Sequence, residues 1–152
     1  ELQPDNEKLI DDNVSSLVFE IIHGKNEFLF TGDIDIFTEL ELVRKFDQKL
    51  DTDILKVAHH GSRFSTSELF LEISTPEYSI LSYGKNNYGH PHPDVITRIA
   101  NQESEILETF KDGRILIRSD SDSFEIIKEV EYSSEFLTIN LFEIIFEIID
   151  TY

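Results

Sequence analysis

Apolar and polar positions alternate with two different periods along the chain, and each period predicts a different kind of element. Short β-prone runs bounded by turn-forming residues predict strands. These runs cover residues 17–22, 28–30, 54–58, 78–83, 106–110, 114–118 and 124–130. Apolar residues at helical spacing predict three helices, one over 36–46, one from near Thr66, where Ser65 and Glu68 have capping-box spacing, and one from Pro93. Turn residues at 23–26 and 111–113 predict two β-hairpins.

Without the last run, at 124–130, the order is strand–strand–helix–strand–helix–strand–helix–strand–strand, which is typical of the α/β class. Three polar loops follow three strand ends, and each carries Asp or His. The loops are Thr31-Gly32-Asp33, His59-His60-Gly61-Ser62 and residues 84–92. Turn chemistry explains any one of them. Because ligand sites in α/β sheets gather beyond the carboxyl ends of strands, the recurrence predicts a functional site at this edge.

Charge is distributed unevenly along the 152 residues, a length that suits one domain. The chain has 31 acidic and 13 basic residues and a net charge of −18, which argues against sequence-independent binding of nucleic acid through its phosphates. The segment 56–98 is neutral, however, and holds four of the five histidines. There is no Cys, so disulfides and thiolate chemistry are excluded. No apolar run is long enough to predict a membrane span.

The candidate chemical groups are one carboxylate and two pairs of histidines. Asp33 is either a turn residue or a hard oxygen ligand able to bridge two cations. His59 and His60 end an apolar strand, so in a regular strand only one of them can face a metal, while the other orients it or contacts substrate. His90 and His92 lie in a proline-rich loop, where they could ligate metal, donate to a phosphate or protonate a leaving group.

Several runs resemble, in their order and spacing, the metallo-β-lactamase-like domain of the ComEC family, the DNA-internalisation channel of natural competence, and its soluble metal-dependent hydrolase relatives. The matching runs are residues 13–18 (NVSSLV), 28–33 (FLFTGD), 53–62 (DILKVAHHGS), 65–67 (STS), 82–84 (SYG), 87–91 (NYGHP) and 113–117 (GRILI).

The resemblance implies an αββα sandwich that holds one or two zinc or manganese ions between its sheets. For this chain we expect half of that sandwich, with a mixed sheet covered by helices on one face. By the same resemblance, Asp33 is a bridging metal ligand and one of His59 and His60 is another. His59 is favoured because it comes first off the strand, which leaves His60 and His90 as the catalytic groups on the substrate side. The residues expected to contact substrate are Asn13, Ser62, Asn87 and His92.

The principal ligand set of this family, His-x-His-x-Asp-His, is absent from the sequence, and we expect it upstream of Glu1. Residues 1–128 are therefore interpreted as the second half of such a domain. The resemblance implies part of a metal-dependent phosphodiesterase or nuclease that serves DNA uptake, acts on DNA or another phosphoester, and is attached outside the cytoplasm to a bacterial membrane channel. The missing ligands predict weak metal binding and no useful activity for this fragment. The alternatives are a non-catalytic interaction module and a soluble relative that hydrolyses a small phosphoester.

Residues 129–152 form an apolar and acidic tail. An apolar helix is predicted there, because Glu143, Glu147 and Asp150 would share one face. The β-branched content leaves a strand as the alternative. Half a sandwich exposes one face of its sheet, so we expect the tail to cover that face or two chains to pair through it as a homodimer.

Overall fold

The computed structural model describes residues 16–129 and the backbone of a strand at 144–148. In chain order the strands are β1 (Phe19–His23), β2 (Asn26–Phe30), β3 (Ile54–Lys56), β4 (Tyr78–Leu81), β5 (Glu105–Glu108), β6 (Ile115–Ser119), β7 (Phe124–Lys128) and β8 (Ile144–Ile148). The helices are α1 (Ile36–Phe46), α2 (Glu68–Ser74), α3 (Pro93–Asn101) and the single turn α4 (Thr109–Asp112). A short 3₁₀ turn occupies Asp47–Leu50, and Ala58–Gly61 form a turn whose His59, His60 and Gly61 have positive φ. The predicted mixed α/β class is confirmed.

A five-stranded mixed sheet carries the candidate loops. Its strand order is β1-β2-β3-β4-β5, with β1 antiparallel to β2 and the other neighbours parallel. The predicted hairpin at 23–26 joins β1 to β2, where His23 pairs with Asn26. Because β2, β3 and β4 run parallel, the segments that follow them leave the sheet at one edge.

Both faces of the central strands β2, β3 and β4 are largely buried, and the strand sequences explain why. Successive residues of a strand point to opposite faces, and apolar pairs such as Leu55 with Ile54 fill both positions. One face, with Leu29, Leu55 and Leu81, packs against apolar residues of α1, α2 and α3. The other face packs against Ile115 and Ile117 of β6. Helices therefore cover one face, as expected, whereas the other face is covered by β6 of the same chain instead of being left for the tail or a second chain. Pairing of two chains stays a prediction.

The second sheet contains three antiparallel strands in the order β7-β6-β8. The hairpin predicted at 111–113 is wrong, because β5 pairs with β4 in the first sheet while β6 pairs with β7 and β8 in the second. Gly113, with φ of 71°, ends α4 and lets the chain cross from one sheet to the other.

The apolar helix predicted in the tail is also wrong within the part that the structure describes. Residues Ile144–Ile148 form β8, which pairs with β6 from Ile148 opposite Ile115 to Ile144 opposite Ser119. The run is rich in Ile and Phe, which suit a strand, and β6 offers it a ladder of backbone hydrogen bonds. Residues 130–143 and 149–152, like Asn13, lie outside the described residues. No helix within the described part is long and apolar enough for a membrane span.

Helix caps fix the loops around the candidate site. The sequence predicts Ser65 as the cap of the second helix, but Ser67 takes that role and its side chain accepts from the amide of Phe70. Ser65 is used elsewhere, since its hydroxyl donates to the carbonyls of Ala58 and Ser62 inside the loop. At α3, the His92 side chain caps the helix and Pro93 occupies its first turn.

Candidate functional site

The predicted edge of the sheet brings Asp33 and His60 together. The Asp33 Oδ1 lies 3.8 Å from the His60 Nε2. On the other side of the ring, the His60 Nδ1 lies 2.6 Å from the backbone carbonyl oxygen of Ser82, just beyond β4. A carbonyl only accepts, so Nδ1 carries a hydrogen, and Nε2 is the ring nitrogen that lies towards the carboxylate. A buried carbonyl that fixes the tautomer in this way is typical of metal-binding histidines.

The backbone at His59 and His60 explains why His60, rather than His59, reaches Asp33. Both residues have left-handed conformations, with φ of 46° and 53°. The alternation of a regular strand, on which the sequence argument depended, has therefore already ended at Lys56. The His59 amide donates to the Gly32 carbonyl at 3.0 Å, and the Ser62 amide donates back to the His59 carbonyl at 2.9 Å. These bonds hold a conformation that costs roughly 1–3 kcal/mol at each non-glycine residue.

His59 faces the third loop instead. Its ring centroid lies 5.4 Å from that of His90 and 6.4 Å from that of His60. Burial lowers the pKa of His90, and the neighbouring His59 and His60 lower it further. His90 is therefore favoured as a neutral imidazole at neutral pH. Its Nδ1 is buried and has no hydrogen-bond partner among the described residues.

Asn86 organises the loop that carries His90, and the sequence analysis missed it. Its Nδ2 donates to the carbonyls of Gly84 and His90, at 3.0 and 2.7 Å. Its Oδ1 accepts from the amides of Tyr88 and His90, at 3.1 and 3.2 Å. An Asn that bonds to amides two and four residues ahead is a recognised turn signal, and the Asn86-Asn87 pair could have indicated it.

A second missed residue is Glu39 of α1, which is completely buried. Its carboxylate accepts from the backbone amides of Thr66 and Ser67. Burial raises the pKa of Glu39, and these amides together with Arg98 oppose the rise. The Arg98 guanidinium also donates to the Ser65 carbonyl at 2.8 Å. Glu39 and Arg98 thus anchor the segment that follows the histidine pair.

The remaining predicted contacts are dispersed. Ser62 is buried in the turn, where its hydroxyl oxygen lies 3.4 Å from the Phe64 amide. The His92 Nδ1 accepts from the Asp94 amide at 3.2 Å, so this nitrogen serves the helix cap. Asn87 is exposed on the third loop.

Asp33 and His60 offer an oxygen and a nitrogen donor of the kinds that zinc and manganese accept. Within residues 16–129, however, no group of three or more His, Asp or Glu side chains could hold a metal ion. A catalytic zinc site ordinarily has three protein ligands. The donors therefore fit the expected metal in kind and fall short of it in number within the described part of the chain.

Comparisons with known proteins point to bacterial competence. No protein-family model matches the chain. The chain is 37% identical over 115 residues to competence protein ComA of Neisseria gonorrhoeae, covering 75% of this chain and 17% of that protein. It is 38% identical over 107 residues to ComE operon protein 3 of Bacillus subtilis, covering 70% of this chain and 14% of that protein. It is also 34% identical over 126 residues to recombination protein 2 of Haemophilus influenzae, covering 82% of this chain and 16% of that protein. The chain thus spans a small part of each relative, and the relatives support a competence-related family.

Proposed function

Because its relatives support a competence-related family, we propose that this chain is part of a metal-dependent phosphodiesterase domain that serves DNA uptake. One observation carries the proposal: Asp33 and His60 face each other at 3.8 Å, with His60 oriented by the Ser82 carbonyl. The two packed sheets, with helices on the outer face of the larger one, are what the second half of a metallo-β-lactamase-like sandwich requires. In that setting the domain lies outside the cytoplasm, attached to a membrane channel.

Asp33 and His60 are the residues that would hold zinc or manganese. Geometry favours His60 over His59 for this role, because the His60 Nε2 is directed at the carboxylate while the His59 ring lies beside His90. When bound, such a metal supplies a water activated for attack on phosphorus and a positive charge for the phosphate oxygens. The other ligands are expected from outside residues 16–129.

The roles of the remaining histidines follow from their surroundings. His90, held as a neutral ring by burial and by its histidine neighbours, is suited to hydrogen bonding with a phosphate oxygen or with the leaving group. His59 supports the His90 ring through their edge-to-face contact. Ser62 and His92 already bond within the protein, so among the expected substrate contacts that the structure describes, Asn87 keeps the most accessible side chain.

Metal content measured beside hydrolysis tests this function. In a longer protein that supplies the expected upstream ligands, Asp33→Ala and His60→Ala should each lower bound zinc and abolish hydrolysis of bis-p-nitrophenyl phosphate. His23→Ala is the control, because His23 lies in the turn between β1 and β2, where its ring bonds to Ser119 of β6, away from the site. Normal metal content in both Asp33→Ala and His60→Ala would refute the assignment, and loss of metal in His59→Ala alone would restore His59 as the ligand.

The chain on its own should bind zinc weakly and hydrolyse neither bis-p-nitrophenyl phosphate nor single-stranded DNA. With two donors among the described residues, it lacks the ligand count of a catalytic site. This shortfall favours a second candidate function for the isolated chain, a non-catalytic interaction module. Robust hydrolysis that survives repurification and is lost in Asp33→Ala would refute that candidate.

A further inference from the structure

A continuous row of aromatic rings runs from the candidate site to the surface. From Asp33 it passes through His60, His59 and His90 and ends at Tyr88, with neighbouring ring centroids 5.4 to 6.4 Å apart. Tyr88 stacks on His90 with an interplanar angle of 18° and a centroid distance of 6.1 Å. The Tyr88 residue is nevertheless 82% exposed, so the ring face that does not meet His90 is open to solvent.

The backbone under this exposed ring is held in place. Asn86 accepts from the amides of Tyr88 and His90 and donates to the carbonyls of Gly84 and His90. An exposed aromatic side chain on a loop fixed by its own hydrogen bonds can stack on a flat ligand with little loss of conformational entropy.

The charge around the row is also compatible with a phosphate chain. Residues 57–67 and 82–92, which form the two loops that carry the row, contain Arg63 and Lys85 and no Asp or Glu, although the chain as a whole has 31 acidic residues. These two loops therefore add no carboxylate of their own to repel a polyanion that approaches Tyr88.

We propose that Tyr88 is a stacking platform for an unpaired nucleobase next to the phosphodiester, and so a specificity-determining residue that selects single-stranded nucleic acid. The inference rests on the proposed phosphodiesterase function of the same site. A nucleobase is the flat group that flanks the phosphodiester of a polynucleotide, and base–aromatic stacking tolerates every sequence because each base has a π-face. In a duplex the bases are stacked on one another and cannot reach the ring.

Binding of fluorescent oligonucleotides to the full 152-residue chain, measured by anisotropy without metal and at low ionic strength, tests the proposal. The probes are a short oligothymidylate, an abasic oligonucleotide of the same length and charge, and a duplex. Tyr88→Ala should weaken oligothymidylate binding by roughly 5- to 150-fold, the equivalent of one lost stacking contact. Tyr88→Ala should leave the weaker binding of the abasic and duplex probes unchanged.

Two variants separate stacking from disturbance of the loop. Tyr88→Phe keeps the ring and should keep the affinity, while Tyr88→Ala retains the backbone amide that Asn86 binds. Phe37→Ala removes another exposed aromatic, 78% exposed on α1, and should have no effect. Equal affinity of Tyr88→Ala and the unsubstituted chain for oligothymidylate would overturn the proposal, as would equal binding of the oligothymidylate and abasic probes or no binding of either.

The outcome is distinguishable from failure of the proposed function. Hydrolysis of bis-p-nitrophenyl phosphate involves no nucleobase, so it tests the phosphodiesterase proposal alone. If that hydrolysis is found in the longer protein while Tyr88→Ala leaves oligothymidylate binding unchanged, only the stacking inference is refuted.

Discussion

Removing the Glu39 side chain should destabilise the protein out of proportion to the removal of any other acidic side chain on α1. The Glu39 carboxylate accepts from the buried amide of Thr66 and from the half-buried amide of Ser67. A buried amide left without an acceptor costs about 1–3 kcal/mol, so Glu39→Ala should lose about 2–6 kcal/mol of the free energy of unfolding. Burial raises the pKa of Glu39, which shows that its charged form is held at a desolvation cost. The alanine variant no longer bears that cost, so the expected net loss in the free energy of unfolding is about 2–4 kcal/mol.

Glu41→Ala is the matched control, because it is the same substitution on the same helix at an exposed position. It should change the free energy of unfolding by no more than about 0.5 kcal/mol. Urea unfolding followed by circular dichroism measures both variants, since the chain has no Trp to report fluorescence. A Glu39→Ala loss below about 1 kcal/mol would refute the reasoning, because it would fall under the cost of a single orphaned amide.

Two further predictions concern backbone strain and pH. Gly61→Ala should lower the free energy of unfolding in urea by about 1–3 kcal/mol more than Gly89→Ala does. Both glycines have positive φ, but a Cβ at Gly61 would lie 2.7 Å from the Pro91 Cβ, whereas a Cβ at Gly89 would have no heavy atom within 4 Å. Equal losses would contradict this. The urea midpoint should rise as the pH is lowered from about 7 to about 5, because three carboxyl groups with raised pKa values bind protons more tightly in the folded state than in the unfolded one. These are Glu20, Glu27 and Glu39, all raised chiefly by burial. The lowered pKa of His90 acts in the opposite direction below about 6.5, so a falling midpoint would mean that the carboxyl groups do not dominate.

The strands and the site edge could be predicted because their signals are local. Apolar positions such as Ile54 and Leu55 report burial on both faces of a strand, and polar residues directly after a strand mark where it leaves the sheet. The crossing of the chain from one sheet to the other at Gly113 could not be predicted, because Lys111-Asp112-Gly113 is equally suited to a hairpin turn. The β8 pairing likewise depends on the free edge of β6, which no local pattern in residues 144–148 reveals.

Glu39 shows the corresponding limit within the site. A glutamate among Thr38, Glu41 and Arg44 looks like part of a solvated helix face. Its burial follows from two amides that lie 27 and 28 residues away along the chain. Asn86 is the opposite case, because all of its partners lie within four residues and its role was accessible to turn analysis.

The position of the His60 ring depends more on how its loop is anchored than on the strand before it. The strand β3 ends at Lys56, and two successive left-handed residues then turn the His60 Nε2 towards Asp33. Such a conformation persists only where the surroundings over-determine it. The determinants are the bond from the His59 amide to Gly32 and the anchoring of the following segment by Glu39. A variant that releases this segment, such as Glu39→Ala, should therefore misplace His60 at denaturant concentrations where the sheets are still folded. Under the proposed function, the zinc affinity of the longer protein would then fall before its global stability does.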